Sequence, residues 1–422
     1  MKLSEIEIVR ERPSGGPVHG AVYLGDAVAL LPGLLERYEG QAQLIYIDPP
    51  FLSGEVYHVR TRVGERDWRT GRGTLTQTAF DDRYELNEYL SMMRQALTGA
   101  RRLLSETGVI FVHIDSRMHA HLRLMMDEIF GEPNFLNEII WTYQTGGRAR
   151  RFYSRKHDVI LFYRKSRKYY FNLEAVPVSR AEHRRNHMKR NVDADGRTYR
   201  SIKSGGKIYT YYDDAPAYPG DVWDDVSHLQ QKDPQRTGYD TQKPGRLLDR
   251  IILCGSKPND LVCDLFAGSG TTLESAHANG RRFLGVDLSP LAFQAIRRRL
   301  ESADVEYFAM PCAGRPTVEA DLTPAIAYYE VELKKFQIEV GLCARSFSGM
   351  DALDSWSVGY VRDGAFVCFA QEARTRRNPA LRGLLQLPVL AGRPCIRVCD
   401  VLGRYFFYMM EGEGAGVEPF AQ

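Results

Sequence analysis

Apolar residues in the first third of the chain fall into short unbroken runs separated by stretches of helical spacing. Leu44-Ile45-Tyr46-Ile47 and Val109-Ile110-Phe111-Val112-His113-Ile114 lack polar alternation, the pattern of strands covered on both faces. Between them Leu86, Tyr89, Leu90, Met93, Leu97, Ala100, Leu103 and Leu104 recur every three or four residues, predicting a helix over 85–105 stopped at Gly108. Residues 18–24 read as a strand ending at Gly25-Asp26, 30–38 as a short helix, and 119–130 as a helix closed by Gly131. The polar, Gly-rich stretch 52–80 reads as one long loop. The rhythm returns over 236–303: helix 245–254, strand 261–265, a glycine turn, helix 272–279, strand 283–286, helix 291–302. Strands alternating with helices predict an α/β fold.

Two regions break this rhythm, and 422 residues exceed one ordinary core. The expected units are 17–145 and 236–303 for the α/β domain, 146–232 for an insertion, and 304–422 for a small β-rich domain. Within the last, a helix or long turn is expected around 325–336, followed by short strands. Charge sharpens the division. Residues 148–207 hold 18 Lys and Arg against 5 Asp and Glu, a balance of +13 inside a chain of net charge +3, so the rest sums to −10. Phe152, Tyr153, Tyr163, Tyr169, Tyr170, Phe171 and Tyr199 are interleaved. A basic, aromatic segment in an otherwise acidic chain is the footprint of a phosphate-binding surface rather than a plain solvated face.

Composition excludes several classes. No stretch approaches the ~20 apolar residues that span a bilayer, and the mixed N-terminus is neither a secretory signal nor a transit peptide. The seven cysteines show no C-x-x-C pair, so neither a metal site nor a disulfide framework is expected. Cys395 and Cys399 suit one face of a strand, and reduced thiols imply a cytoplasmic setting.

Two motifs carry chemistry. Asp264-Leu265-Phe266-Ala267-Gly268-Ser269-Gly270-Thr271-Thr272 delivers a carboxylate from a buried strand into a glycine turn and then a helix. Glycines admit close approach of a ligand to the backbone, and the helix N-terminus offers unpaired N–H groups. No lysine follows Gly270, so this is not a phosphate loop. The next strand ends at Asp287, placed to accept hydrogen bonds from both hydroxyls of a ribose. A plain βα turn would explain the glycines alone; with Asp287 the pair points to a nucleoside cofactor. The second motif is Asp48-Pro49-Pro50-Phe51, at the end of a buried strand. A rigid turn is one reading. The chemical reading is that a carboxylate and a backbone carbonyl, pinned by proline, accept the N–H bonds of an exocyclic amine and localise its lone pair. Phe51 would stack on an extracted base.

Asp-Pro-Pro-Phe early and Phe-x-Gly-Ser-Gly-Thr late, with a basic insertion between, resemble the β-class DNA amino-methyltransferases, and more specifically the modification (Mod) subunits of type III restriction systems and their solitary relatives. Phe111-Val112-His113-Ile114-Asp115, Met126-Asp127-Glu128-Ile129-Phe130-Gly131, Asn134-Phe135 and Thr241-Gln242-Lys243-Pro244 extend the resemblance over roughly 17–303. The resemblance implies a Rossmann-like S-adenosylmethionine-dependent methyltransferase fold with a mixed, mostly parallel seven-stranded sheet and a reversed final hairpin. It implies site-specific methylation of adenine N6 in double-stranded DNA by base flipping. N4 of cytosine, an RNA amine, or an idle DNA-binding module are the alternatives.

By the same resemblance Asp48, Pro49, Pro50 and Phe51 hold the target base. Lys243 lies near the cofactor carboxylate, and Asp26 meets its adenine. Asp264, Phe266, Gly268, Ser269, Gly270 and Thr271 form the methionine and turn contacts, and Asp287 holds the ribose. Asp115, also at a strand end, is read as structural. The implied partners are double-stranded DNA, a cognate restriction subunit and a second copy of the chain. Two features depart from the pattern: Phe51-Leu52-Ser53-Gly54 stands where relatives often have Phe-Asn-Thr-Gly, and the chain is shorter than typical Mod subunits. Residues 352–360 with Asp363-Gly364 resemble a β-rich tail of some of these enzymes.

Overall fold

The computed structural model describes residues 2–6, 10–12, 18–64, 74–143, 149–178, 190–230, 233, 242–309, 316–338, 340–342, 345–347, 349–375 and 379–411. Eight strands position the site: β1 Gly20–Leu24, β2 Ala42–Ile47, β3 Leu104–Ile114, β4 Phe135–Thr142, β5 His157–Arg164, β6 Leu261–Asp264, β7 Arg282–Asp287 and β8 Val305–Ala309. They lie in the order β8-β1-β7-β6-β2-β3-β5-β4. Neighbours are parallel from β8 through β3; β5 then enters antiparallel to β3, and β4 antiparallel to β5. Helices α1 Ala27–Tyr38, α2 Leu86–Leu103 and α3 His119–Phe130 cover one face; α4 Gly245–Gly255, α5 Thr271–Ala278 and α6 Pro290–Arg299 cover the other. This double cover explains the unbroken apolar runs. Along β2, Leu44 and Tyr46 enter the α4–α6 core while Ile45 and Ile47 enter the α1–α3 core.

The expected count of seven strands is corrected, because among the described residues the sheet continues to fifteen. Beyond β8 it passes through Arg10–Arg12 to Ala365–Ala373, Leu353–Arg362, Arg393–Asp400, Tyr405–Glu411 and Lys2–Ile6; at the other edge Val222–Trp223 lies beside β4. The splice is a three-residue strand with both edges paired: Glu11 lies opposite Tyr307 on one side and Phe366 on the other. Its buried carboxylate is ion-paired with Arg297 of α6 and Arg397 of the C-terminal strands. A carboxylate taken out of water costs several kcal/mol unless so compensated. Three residues carry no readable periodicity, so nothing local announced the splice.

Three further expectations change. Within 52–80, Val56–Arg62 and Thr74–Asp81 form an antiparallel hairpin rather than a plain loop. Val59 and Ala79 cluster with Leu291 and Ala292 of α6, and Val63 and Leu75 with Val401. Its polar outer positions masked the alternation. The boundary drawn at 146 leaves β5 in the insertion, whereas β5 sits inside the main sheet with residues 159–163 buried. The charges flanking that apolar run hid it. Tyr328–Gln337 is a strand, not a helix: Tyr329, Val331 and Leu333 point inward at every second position, between Thr317–Pro324 and Leu384–Pro388. With Phe336 they meet Trp356 and Tyr360 in a separate C-terminal core. Cys395 and Cys399 are free and buried on one strand. Among the described residues no helix is long and apolar enough to cross a membrane.

Candidate active site

The chain leaves β1, β7, β6 and β2 at the same edge of the sheet. Leu24 lies opposite Asp287, and Asp264 opposite Tyr46, so four strand ends stand in a row. In parallel sheets that edge is where ligands bind, because the following loops and helix N-termini converge there. The loops enclose a cleft of about 520 Å³, within the range of small-molecule sites. Asp26, Asp48, Pro49, Pro50, Phe51, Lys243, Asp264, Phe266, Gly268, Ser269, Thr271 and Asp287 all line it. The two motifs, more than two hundred positions apart, therefore face one cavity. Gly270 alone of the expected residues does not line it. It caps α5 at φ +79°, and a Cβ there would sit 2.7 Å from Ile296 Cγ1. Its contribution is the shape of the bend.

The glycine bend is stitched from within. Gly268, at φ +52°, donates its N–H to Asp287 Oδ2 at 2.7 Å, and Ser289 donates to Asp287 Oδ1 at 2.8 Å. Phe266 donates its N–H to Asp264 Oδ1 at 3.0 Å. Burial pushes Asp264 up to about 7; bonds from Thr272 and Phe266 pull it down, and the charges of Asp48 and Asp287 add to the rise. Burial likewise pushes Asp287 up to about 6, against the N–H bonds of Ser289 and Gly268. Ser269 and Thr271 are buried with their hydroxyls 3.3 Å apart. Asp26 caps α1, accepting the Ala29 N–H at 2.8 Å, while its side chain also borders the cleft.

The Asp48–Phe51 turn is held from outside. Lys243 donates to Asp48 Oδ2 at 2.5 Å and stands 5.2 Å from the Phe51 ring centroid. The lysine expected beside a cofactor carboxylate is thus committed to Asp48, which would otherwise carry a charge out of water alone. The other oxygen, Asp48 Oδ1, is buried without a hydrogen-bond partner among the described residues. An orphaned acceptor in a cleft is a costly feature that a bound N–H group would satisfy.

Behind the turn lies a polar chain that the motifs did not reveal. Tyr46 Oη lies 2.8 Å from His113 Nδ1, and His113 Nε2 lies 3.2 Å from Asp158 Oδ2. Burial raises the Tyr46 hydroxyl well above its ordinary value, and the His113 ring bridges that hydroxyl and the Asp158 carboxylate. Burial would raise Asp158 as well, but His113, Lys243 and Tyr143 hold it below the usual carboxylate range. His113 also lies 6.1 Å from the Phe51 ring at a 28° interplanar angle. Tyr46 and His113 were visible only as members of motif strings; Asp158 fell in the insertion; Asp82, taken up below, had no local signal. Asp115 pairs with Arg117.

A family model described as a DNA methylase, of the N6/N4 methyltransferase type, matches residues 42–298. The chain is 27% identical to the type II methyltransferase M.EcaI of Enterobacter cloacae, over 61% of this chain and 64% of that protein. It is 26% identical to the DNA adenine methyltransferase YhdJ of Escherichia coli K12, over 66% of this chain and 82% of YhdJ. It is 27% identical to the StyLTI Mod subunit of Salmonella typhimurium, a type III restriction-modification enzyme, over 62% of this chain and 49% of that subunit. Among solved structures, the cytosine-N4-specific PvuII DNA methyltransferase aligns with 70% of this chain and 97% of its own, at 13% identity and a TM-score of 0.42. The chain thus spans under two thirds of M.EcaI and about half of the Mod subunit.

Proposed function

The chain belongs to the DNA methylase family of N6 and N4 methyltransferases, and from that premise we propose that it methylates N6 of adenine in double-stranded DNA, on a base turned out of the helix. S-adenosylmethionine is the methyl donor, supplying a methyl group already activated on a sulfonium. The chain's residues hold and aim. Asp287, fixed by two backbone N–H groups, keeps lone pairs for the ribose hydroxyls. Asp26 borders the adenine side of the donor, and Phe266 and Gly268 the methionine side, with Asp264, Ser269, Gly270 and Thr271 shaping the bend. Phe51 stacks on the target base, and the prolines preset the carbonyl that shares its amino hydrogens with Asp48.

The observation that carries this reading is Asp48: one oxygen anchored by Lys243, the other buried and unpartnered, in the same cleft as the glycine bend. An acceptor already aimed needs no reorganisation when the amine arrives. For the duplex, the basic segment offers a three-stranded antiparallel sheet, Arg190–Val192, Thr198–Ser204 and Lys207–Tyr212, whose last two strands run on past the first as a ribbon turned by Gly205 and Gly206 at positive φ. Lys203, Lys207, Ile208 and Tyr209 are exposed on it. A ribbon of this kind fits a major groove.

Asp48→Ala is the test. Transfer of tritiated methyl from S-adenosylmethionine to unmethylated genomic DNA should fall by more than about 10³-fold, while binding of the donor stays within about threefold. Wild-type transfer by the variant overturns the mechanism. The family also includes N4 methylation of cytosine, so digestion of the product to nucleosides identifies the base: N4-methylcytosine in place of N6-methyladenine selects that second reading.

A further inference from the structure

Two aspartates stand side by side after the hairpin, and they behave oppositely. Asp81 is exposed and pairs with Arg83. Asp82 is buried, 1% exposed, and turns toward the catalytic turn. Its Oδ1 accepts the Leu52 N–H at 3.0 Å. Its Oδ2 accepts the Phe51 N–H at 3.3 Å, the Ser53 N–H at 2.8 Å and the Ser53 hydroxyl at 2.5 Å. The main chain doubles the tie: Asp82 N–H donates to Glu55 O, and Gly54 N–H to Asp82 O. One carboxylate thus gathers three consecutive N–H groups immediately after the Asp-Pro-Pro sequence.

Those N–H groups converge only because the backbone at Leu52 is left-handed, at φ +54°. Glycine adopts this conformation freely and asparagine tolerates it; a leucine there is strained by its Cβ. Leu52 remains because its side chain packs on the α1–α3 core and its N–H is held by Asp82. A strained residue persists where its surroundings over-determine it. The far end of the same hairpin is anchored too: Gln77 donates to the Val401 carbonyl at 2.8 Å, and Val63 and Leu75 cluster with Val401. Tyr57 and Phe80, stacked at 4.7 Å, line the cleft between these two anchors.

We propose that Asp82 is a positioning residue for methyl transfer: its carboxylate holds the strained Phe51–Ser53 bend, and through it sets Phe51 and Asp48 relative to the target base. The proposal deepens the methyltransferase reading and rests on it. Through the hairpin the C-terminal domain buttresses the catalytic turn, which assigns that domain a part in the active site.

The test pairs Asp82→Asn with Leu52→Gly. An asparagine of the same shape presents an NH₂ group to N–H donors and must release part of the bend. Single-turnover methyl transfer to unmethylated genomic DNA should fall about 100-fold, the scale of a misplacement of about 1 Å. Donor binding should change by less than about threefold. Leu52→Gly in the Asp82→Asn background should restore about tenfold of the loss, because glycine reaches the left-handed bend without strain. A merely structural aspartate predicts the reverse: parallel loss of donor affinity and of melting temperature, with no rescue by glycine. Either that result or an undiminished rate overturns the proposal. Hydrogen exchange gives a readout independent of turnover, since the amides of residues 51–53 should lose protection in Asp82→Asn. If wild-type protein methylates no DNA but those amides respond as expected, the functional reading fails and the clamp stands; if it methylates DNA and the amides do not respond, the clamp alone fails.

Discussion

The two sides of the cleft are built by different means. The side-chain ties of the glycine bend are drawn from its own neighbourhood, Asp264 to Ile296: Gly268 and Ser289 tie to Asp287, Phe266 ties to Asp264, and Gly270 nests against Ile296. The Asp48–Phe51 turn is held by residues scattered along the chain. Lys243 comes from the loop before α4, Asp82 from beyond a hairpin, and the Tyr46–His113–Asp158 chain from three strands. The bend needs a backbone shape, which glycines encode locally. The turn needs an oriented carboxylate and a stacked ring, and a short polar loop cannot hold those by itself.

That contrast can be broken at several points. The largest effect is expected at Gly270. Gly270→Ala forces a Cβ onto Ile296 at positive φ, which should cost about 1–3 kcal/mol of stability by denaturant titration and weaken donor binding with it. If the variant matches wild type in both, the bend does not depend on its own backbone. Next comes Lys243→Met, which removes the anchor of Asp48 while leaving the bend untouched. Transfer should slow about tenfold, with donor affinity changed far less. Equal losses in both would return the lysine to the cofactor carboxylate, as the family resemblance implied.

The smallest effect is in the pH dependence of the ligand-free protein. Asp264 and Asp287 are raised from 3.8 to about 7 and about 6, so the folded state binds more protons than the unfolded state across that interval. Their contribution is therefore full below the ordinary carboxylate range and is lost as pH rises through about 6 and then about 7. Asp264→Asn should flatten the fall in melting temperature between about pH 4 and pH 7. A steeper fall in the variant would contradict burial as the cause. On the proposed contact of Asp287 with the donor's ribose, the hydroxyls favour the ionised carboxylate, so donor affinity should strengthen as pH rises through about 6.

Much of this was legible in the residues. The apolar runs of β2, β3 and β6 announced strands covered on both faces, because only such strands can be apolar at every position. Helix α3 was expected at 119–130 and spans His119–Phe130, where Gly131 at φ +88° ends it. The hairpin at 56–81 and the strand at 328–337 were misread, since each buries only one face and spreads its apolar residues among charges.

Local chemistry could declare which residues bend, which are covered, and which carry a carboxylate into a loop, because proline, glycine and apolar periodicity act on their own few neighbours. It could not declare who neutralises whom. Asp82 and Asp81 are adjacent and chemically identical, yet one accepts the N–H groups of Phe51, Leu52 and Ser53 and the other faces solvent. Glu11 splices the two parts of one sheet, held by arginines nearly three hundred and four hundred positions away. Buried charges and open strand edges are satisfied by whatever the folded chain brings within about 3 Å, and that partner is a property of the assembled core rather than of any stretch of sequence.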